Sequence, residues 1–164
     1  MLKEFDLKTL NKNPFDLIGK QWMLISAGDN KKHNMMTASW GTLGVLWNKN
    51  IAVIFVRPIR YTFEFLEKHD YFSLSFPIDS KVHDICGGKS GREIDKTKAC
   101  NLTPIYSDGT VYFEESEMVL ICKKIYATEI DPNMFLDSEI HKNYPLKDYH
   151  KVYVGEIIKA YKKS

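Results

Sequence analysis

Six apolar residues follow one another at positions 51–56, in the order Ile-Ala-Val-Ile-Phe-Val. Such a run leaves no face for solvent, and it therefore predicts a buried strand. Two further runs read as strands, 71–76 and 118–130, and each is halted where a proline follows. The second of these is long enough to be a curved barrel strand. Strands are also predicted at 21–27, at 34–40 with a continuation over 43–47, and at 152–161.

Helices are few and short in this pattern. One is predicted over 62–68 with Thr62 as its N-cap, and another over 80–86, ending at two glycines. A third should begin at Ser90, where Ser90 and Glu93 have the spacing of a capping box. Many strands with a few short helices predict a mainly β chain, a closed β-barrel with helical decorations. The length of 164 residues suits one domain over 1–164.

Charge and hydropathy exclude several classes of partner. The net charge is +2 and the basic residues are scattered, so there is no electrostatic case for nucleic acid or for a membrane surface. No apolar run approaches the roughly 20 residues that span a bilayer. Acidic residues stand near the N-terminus where a signal peptide would be apolar, so we expect a cytoplasmic protein.

The cysteines and histidines give no sign of a metal or thiol centre. Cys86, Cys100 and Cys122 are odd in number and far apart in sequence, which argues against a disulfide framework or a Cys-x-x-Cys centre. Cys86 and Cys100 are predicted on different helices, so we expect all three thiols to be dispensable for electron transfer. The five histidines do not have the spacing of metal ligands, and no metal is expected.

Two segments combine a helix start with cations. Arg57 and Arg60 precede the helix of Thr62, and Lys89 stands directly before Ser90. The N-terminus of a helix has unpaired amide hydrogens and a partial positive charge, and arginine binds phosphate with two parallel hydrogen bonds. These segments are therefore candidate phosphate sites. Ordinary helix caps with solvated arginines would give the same pattern, and composition alone does not separate the two interpretations.

The strand at 34–40 is unusually polar for a core strand. Asn34, Thr37 and Ser39 supply donors and acceptors at strand spacing, and Trp40 supplies a flat face. The alternative is a strand whose polar residues face water, with Trp40 in the core. Since a candidate phosphate site adjoins this strand in sequence, the combination favours a flat, polar-edged ring that carries a phosphate. Flavin mononucleotide (FMN) fits that description.

Other signatures of catalysis are missing from the sequence. There is no Gly-x-Ser-x-Gly elbow and no Gly-x-Gly-x-x-Gly turn, which argues against a hydrolase nucleophile and against a dinucleotide on a Rossmann fold. Asp148, Tyr149 and His150 could pair an acid with an imidazole near the last strand, but a surface turn is the preferred interpretation. His33, next to the polar strand, could contact the ring or a substrate, or could be a loop residue. We therefore assign no catalytic side chain.

Three segments, taken in order, resemble the flavin reductase-like family of FMN-binding split barrels, and in particular its flavoredoxin-like branch. They are 34–41 (NMMTASWG), 57–62 (RPIRYT) and 89–96 (KSGREIDK), and the resemblance extends over nearly the whole chain. It implies a six-stranded split β-barrel, a homodimer, and non-covalent FMN near the subunit interface.

The resemblance also implies roles for individual residues. The first segment would line the flavin ring and ribityl chain through Asn34, Met36, Thr37, Ala38, Ser39 and Trp40. The second would follow the ribityl chain and phosphate through Arg57, Arg60, Tyr61 and Thr62. Lys89 and Ser90 would approach from the third.

The family is divided in function, and the segments mark the cofactor and not the electron partner. The first hypothesis is an oxidoreductase in which NADH or NADPH transfers hydride to bound flavin. The second is an electron carrier with fixed FMN and a redox partner protein. The third is a flavin-binding module without turnover.

Overall fold

The structure is a computed structural model that describes residues 1–77 and 79–164. Its strands are β1 Leu2–Glu4, β2 Met23–Gly28, β3 His33–Ala38, β4 Gly41–Leu46, β5 Lys49–Val56, β6 Tyr71–Pro77, β7 Pro104–Ser107, β8 Thr110–Phe113, β9 Ser116–Glu129 and β10 Lys151–Lys163. Its α-helices are α1 Pro14–Asp16, α2 Tyr61–Lys68, α3 Lys81–Gly88 and α4 Lys96–Ala99. A π-helical turn, Leu17–Gln21, follows α1, and 3-10 turns lie at Leu7–Thr9, Pro132–Met134 and Ser138–Asn143. None of the helices in the described ranges is long and apolar enough to cross a bilayer.

One antiparallel sheet forms the frame, in the order β3-β2-β6-β9-β10-β5-β4, and β1 adds to β10. A separate hairpin joins β7 and β8. β3 and β4 lie at opposite ends of the strand order although only two residues separate them in sequence, so the sheet curls to bring its ends together. The mainly β prediction is confirmed. The sheet has more strands than the expected six, because β1 joins it and because the 34–47 stretch forms two strands with different partners.

The β5 strand is only partly as the sequence predicts. Ile51, Ile54 and Val56 are buried in the core. Val53 and Phe55, however, are only half-buried. The prediction that the strand has no solvent-exposed face is therefore wrong for the face that carries Val53 and Phe55. This face lies on the outer side of the curled sheet, which is covered only where a helix or loop packs on it.

The main core lies inside the curled sheet, where side chains of β2, β5, β6, β9 and β10 meet. Phe72, Leu120 and Tyr153 are among its fully buried members. A second apolar cluster seats α3 on β2 and β3 through Val82 and Cys86. Together these clusters fix α2 and α3 against β3, which carries the polar residues noted in the sequence.

Two predicted helix starts are wrong. Arg60, not Thr62, is the N-cap residue of the α2 helix, and Thr62 is buried in its first turn. No helix begins at Ser90. The chain makes a turn there, in which the Ser90 carbonyl accepts hydrogen bonds from the Glu93 and Ile94 amides. The third helix begins at Lys96 instead, because the Asp95 carboxylate accepts from the Lys98 amide and supplies the cap.

Replacing Asp95 with alanine should lower the free energy of unfolding by about 1 kcal/mol, the usual contribution of an N-cap side chain. Ser90→Ala should cost less, since the Ser90 hydroxyl only closes an exposed turn with the Arg92 amide at 3.2 Å. Urea unfolding of the two variants measures the difference. A larger loss of unfolding free energy for Ser90→Ala than for Asp95→Ala would contradict this prediction and favour the capping box at Ser90.

The cysteines differ from expectation in one respect. Cys122 is buried in β9, as predicted. Cys86 lies in α3 and Cys100 directly follows α4 as its C-cap residue, but their sulfur atoms are only 3.7 Å apart, because α3 and α4 pack against each other. Prediction on different helices is therefore not a valid reason to expect that these two thiols cannot react with each other.

Candidate functional site

Two adjoining clefts lie between β3, the end of β5 and the starts of α2 and the 87–96 segment. The first cleft has a volume of about 200 Å³ and runs along the end of β3 to Phe55, Arg57 and His150. Trp40 forms part of its wall and is 49% exposed, so it is not the core residue of the alternative interpretation. The first cleft is thus open to solvent and has aromatic faces.

The second cleft has a volume of about 290 Å³ and lies at the start of α2. Arg60, Tyr61 and Thr62 form one wall, and the 87–91 segment forms the opposite one. Met36 and Arg60 line both clefts, so the two clefts adjoin at these residues. Together, the two adjoining clefts form a system that has aromatic walls at one end and a helix N-terminus with cationic neighbours at the other.

All twelve residues that the sequence and the resemblance single out line this system. The first cleft contains Met36, Thr37, Ala38, Ser39, Trp40, Arg57 and Arg60. The second contains Asn34, Met36, Arg60, Tyr61, Thr62, Lys89 and Ser90. Their convergence is a fact of the fold, while their contact with a flavin stays a prediction.

The polar side chains of β3 are held by partners outside the strand. The buried Asn34 amide donates to the Thr62 hydroxyl at 2.9 Å and so ties β3 to α2. The Thr37 hydroxyl lies 2.9 Å from Nδ1 of His83 in α3. Burial lowers the pKa of His83, so its imidazole is neutral near pH 7. These bonds hold the β3 side chains in fixed orientations at the cleft wall.

Gly91 makes the close approach of the 87–91 segment to β3 possible. A Cβ on this residue would lie 2.0 Å from Oδ1 of Asn34 and 3.1 Å from the Tyr61 ring. Only a residue without a side chain can pass there, so the width of the second cleft depends on this glycine.

The two arginines of the second segment have different roles. Arg57 donates to the Asp148 carboxylate and to the Asn143 carbonyl, both at 2.8 Å, and its guanidinium lies 4.8 Å from the Tyr144 ring centre. It therefore anchors the 138–149 segment beside the first cleft. Arg60 makes only two long hydrogen bonds, 3.4 Å each, to the Cys86 and Gly87 carbonyls. Of these two guanidiniums, that of Arg60 is the one whose N–H groups lack short hydrogen bonds within the described part of the protein and could bind an anion.

Two further cations stand near Arg60. Lys89 is exposed at the rim of the second cleft. Lys96 is buried, and its ammonium donates to the Met35 and Cys86 carbonyls at 2.9 and 3.0 Å. Burial, helped by Arg60, lowers the pKa of Lys96. Sequence reasoning missed Lys96 as a site residue, although it ends the third of the resembling segments.

His150 is the main residue of the first cleft that the sequence did not assign. It is 7% exposed, its Nδ1 lies 2.7 Å from the Tyr144 hydroxyl, and its ring lies 5.4 Å from Trp40. The preferred interpretation of a surface turn is wrong for this residue, because the 138–149 segment folds over it. Asp148 pairs with Arg57 and not with the imidazole. The only sequence signal was its place directly before β10.

Burial, and then the charge of Arg57, lower the pKa of His150 to about 4, while Asp148 opposes them. The unfolded imidazole takes up a proton near 6.5, so between about pH 6.5 and 4 the unfolded chain binds more protons and the folded state loses stability as pH falls. His150→Gln should remove this contribution and weaken the decline of unfolding free energy between pH 7 and pH 5. Urea unfolding at both pH values measures it. The lowered pKa values of His33 and His83 act in the same direction in both proteins and cancel in the comparison.

His33 lies outside the two clefts. Its Nε2 is 2.9 Å from the Thr97 hydroxyl and its Nδ1 is 3.3 Å from the Tyr106 hydroxyl. It lines a neighbouring cleft of about 450 Å³ together with Lys31, Lys32 and Arg92. Within the described ranges, no three His, Cys, Asp or Glu side chains converge in a way that could hold a metal ion.

Comparison with known proteins identifies the fold. Residues 15–164 match the model of the flavin reductase like domain. No curated protein matches the sequence. Among solved structures, the flavoredoxin of Methanosarcina acetivorans is similar at 26% identity and TM-score 0.69, over 87% of this chain and 68% of that one.

Two more distant structures show the same fold. The flavoredoxin of Desulfovibrio vulgaris (Miyazaki F) is 19% identical, with a TM-score of 0.68 over 99% of this chain and 78% of that one. An NADH:FAD oxidoreductase of Streptomyces globisporus is 16% identical, with a TM-score of 0.65 over 87% and 74%. The sheet described above is thus the split barrel of these proteins, and because the domain model covers nearly the whole sequence, the chain belongs to the flavin reductase-like family.

Proposed function

We propose that the chain binds FMN non-covalently across the two adjoining clefts and acts as an oxidoreductase through it. The observation that carries the proposal is the position of Arg60, a half-buried guanidinium with weak partners at the junction of an aromatic-walled cleft and a helix N-terminus. Such an arrangement suits a molecule that is a flat ring at one end and a phosphate at the other.

The residues along the two clefts would contact different parts of FMN. Arg60, Lys89 and the first-turn amides of α2 would neutralise and position the phosphate. Met36, Thr37 and Trp40 would face the ring system, and the small residues between Thr37 and Trp40 allow backbone atoms to approach its edge. Bound FMN would supply the hydride and electron chemistry. The protein's contribution is to orient the ring, to place donors at its polar edge and to keep one face open.

Cofactor identity can be tested directly. The protein is denatured after incubation with equal amounts of FMN and FAD, and the released flavin is separated on a column. FMN should dominate, because the cationic end of the second cleft suits one terminal phosphate. Release of FAD, or of no flavin, would contradict the proposal.

We further propose that NADH or NADPH is the electron donor. The open first cleft, with half of Trp40 exposed, leaves room for a nicotinamide beside a bound ring. The second candidate is an electron carrier with a protein partner, and the similarity to a flavoredoxin at 26% identity favours it.

Anaerobic mixing of the flavin-loaded protein with each nicotinamide separates these candidates. Loss of the visible flavin absorption within seconds supports a reductase, and the faster of the two reactions identifies the donor. Absorption that persists with both nicotinamides but disappears with dithionite supports the carrier. Rapid reduction followed by fast transfer to free flavin would complete the case for a reductase.

A homodimer is proposed from the exposed apolar residues of the β4–β5 hairpin. Val45 is 72% and Trp47 is 57% exposed, and the Trp47 ring packs edge-on against the exposed Tyr126. Val45 lies on the edge strand β4 and Trp47 in the turn that follows it, and an uncovered apolar surface beside a sheet edge is typical of an interface. Light scattering at micromolar concentration should give the mass of two chains, and Trp47→Glu should shift it toward one. A monomer mass for the flavin-loaded protein would contradict this proposal.

A cytoplasmic location is the remaining proposal, and cell fractionation with an antibody to the chain tests it. Recovery with the membrane fraction would contradict it.

A further inference from the structure

Two cysteine thiols meet directly behind the second cleft. Cys86 lies in α3 and is fully buried, while Cys100 is the C-cap residue of α4 and is half-buried. Their sulfur atoms are 3.7 Å apart. A disulfide bond is about 2.05 Å long, so each sulfur would need to move by less than about 1 Å to bond.

The two thiols differ in access and in acidity. Cys100 is the one that a solute can reach. Burial raises its pKa, but the hydrogen bond from Cys86 and the charge of Lys96 oppose that effect. Burial, and then Cys100, raise the pKa of Cys86 to about 12. An oxidant would therefore react first at Cys100, with Cys86 in place as the second thiol.

We propose that Cys86 and Cys100 are a dithiol site that hydrogen peroxide oxidises to an intramolecular disulfide. The Cys100 thiol loses its proton and the thiolate attacks one oxygen of hydrogen peroxide, so that the O–O bond breaks and Cys100 becomes a sulfenic acid. The second oxygen leaves as hydroxide and takes up the proton that Cys100 lost, which gives the first water. The Cys86 sulfur then attacks the Cys100 sulfur, the S–O bond breaks, and a second water leaves with the Cys86 proton. The dithiol loses two electrons and two protons, and one peroxide becomes two waters.

The position of the pair gives the oxidation a structural consequence. The Cys86 carbonyl accepts from both Lys96 and Arg60, at 3.0 and 3.4 Å. The segment between the two cysteines carries Lys89 and Gly91, which line the second cleft. A disulfide would join the two ends of that segment. Formation of the bond itself does not depend on the proposed flavin.

The test uses the purified, flavin-loaded protein and hydrogen peroxide. After a small molar excess of peroxide and a quench, free thiols are alkylated in denaturant and the peptides are mapped by mass spectrometry. A peptide pair linked through Cys86 and Cys100, two hydrogen atoms lighter than the reduced peptides and reversed by dithiothreitol, is the expected result. Cys122 should stay fully alkylatable and serves as the internal control, because it is buried alone in β9.

Two single variants test the order of reaction. Cys86→Ser should leave a Cys100 sulfenic acid that dimedone traps, whereas Cys100→Ser should leave Cys86 unmodified. The proposal fails if both wild-type thiols remain alkylatable at peroxide concentrations that oxidise glutathione completely. It also fails if Cys100 is found linked only between chains, or if dimedone labels Cys86 and not Cys100. The peptide map of the peroxide-treated wild-type protein tests the proposal even if a variant does not fold.

Discussion

Replacement of Arg60 by alanine is expected to weaken flavin binding by roughly ten- to hundredfold. A charge-assisted hydrogen bond contributes about 1.5–3 kcal/mol, and Arg60 is the guanidinium whose present bonds, at 3.4 Å, are weak enough to be exchanged for a phosphate. Burial lowers the pKa of Arg60, but an arginine side chain still carries its proton near neutral pH. Titration of the apoprotein with FMN, followed by quenching of flavin fluorescence, measures the change.

Lys49→Ala is a suitable control, since Lys49 lies in the β4–β5 hairpin and pairs with Glu156 on the surface. Its affinity for FMN should equal that of the wild type. Arg57→Ala should show a different pattern, because its guanidinium is occupied by Asp148 and Asn143. We expect that variant to release the 138–149 segment, seen as faster proteolysis there, with a smaller direct loss of affinity. Equal affinities of the Arg60→Ala and Lys49→Ala variants would remove Arg60 from the site.

Gly91→Ala is expected to lower the free energy of unfolding by about 1–3 kcal/mol and to weaken flavin binding at the same time. The new Cβ would meet Asn34 at 2.0 Å, so either the 87–91 segment moves away from β3 or the Asn34–Thr62 bond breaks. Either change alters the second cleft. Urea unfolding and FMN titration on the same preparations report both effects.

Gly19→Ala gives the matched control, because a Cβ there meets no atom within 4 Å and Gly19 lines neither of the two clefts. It should leave stability and FMN affinity nearly unchanged. The double variant Gly91→Ala with Asn34→Ala should recover part of the lost stability relative to the sum of the single effects, because it removes the colliding side chain. Strict additivity of the two substitutions would show that Asn34 is not the residue against which the segment packs.

The candidate site was predictable from sequence to the extent that it is local. The polar strand around Thr37, the arginines before α2 and the Lys89–Ser90 turn are each continuous in sequence, and each forms a wall of the clefts. His150 and Lys96 were not assigned, because their importance comes from what folds over them. The Tyr144 hydroxyl and the Met35 carbonyl, their partners, are set by tertiary packing and leave no periodic signal.

The two helix starts were predicted wrongly for a related reason. Thr62 and Ser90 both have the chemistry of a cap, but the hydroxyl of Thr62 bonds to Asn34 across the fold and Ser90 closes a turn. A side chain that can cap a helix can also satisfy another donor nearby, and the sequence does not say which bond forms. Asp95 supplies the cap of α4, and the ion pair that its carboxylate makes with Lys98 at 3.7 Å lies within the same helix and does not compete with the cap.

By itself, the sequence determined the mainly β class and the presence of an aromatic and polar strand beside clustered cations, because strand length, apolar runs and turn residues are local properties. The tertiary structure alone decided that β3 and β4 would lie at opposite ends of the sheet, that Arg57 would bind Asp148, and that Cys86 would meet Cys100. Each of these pairings joins parts of the chain whose proximity follows from the curl of the sheet and the packing of its helices. No local pattern encodes that proximity, since it is the burial of the whole core that stabilises it.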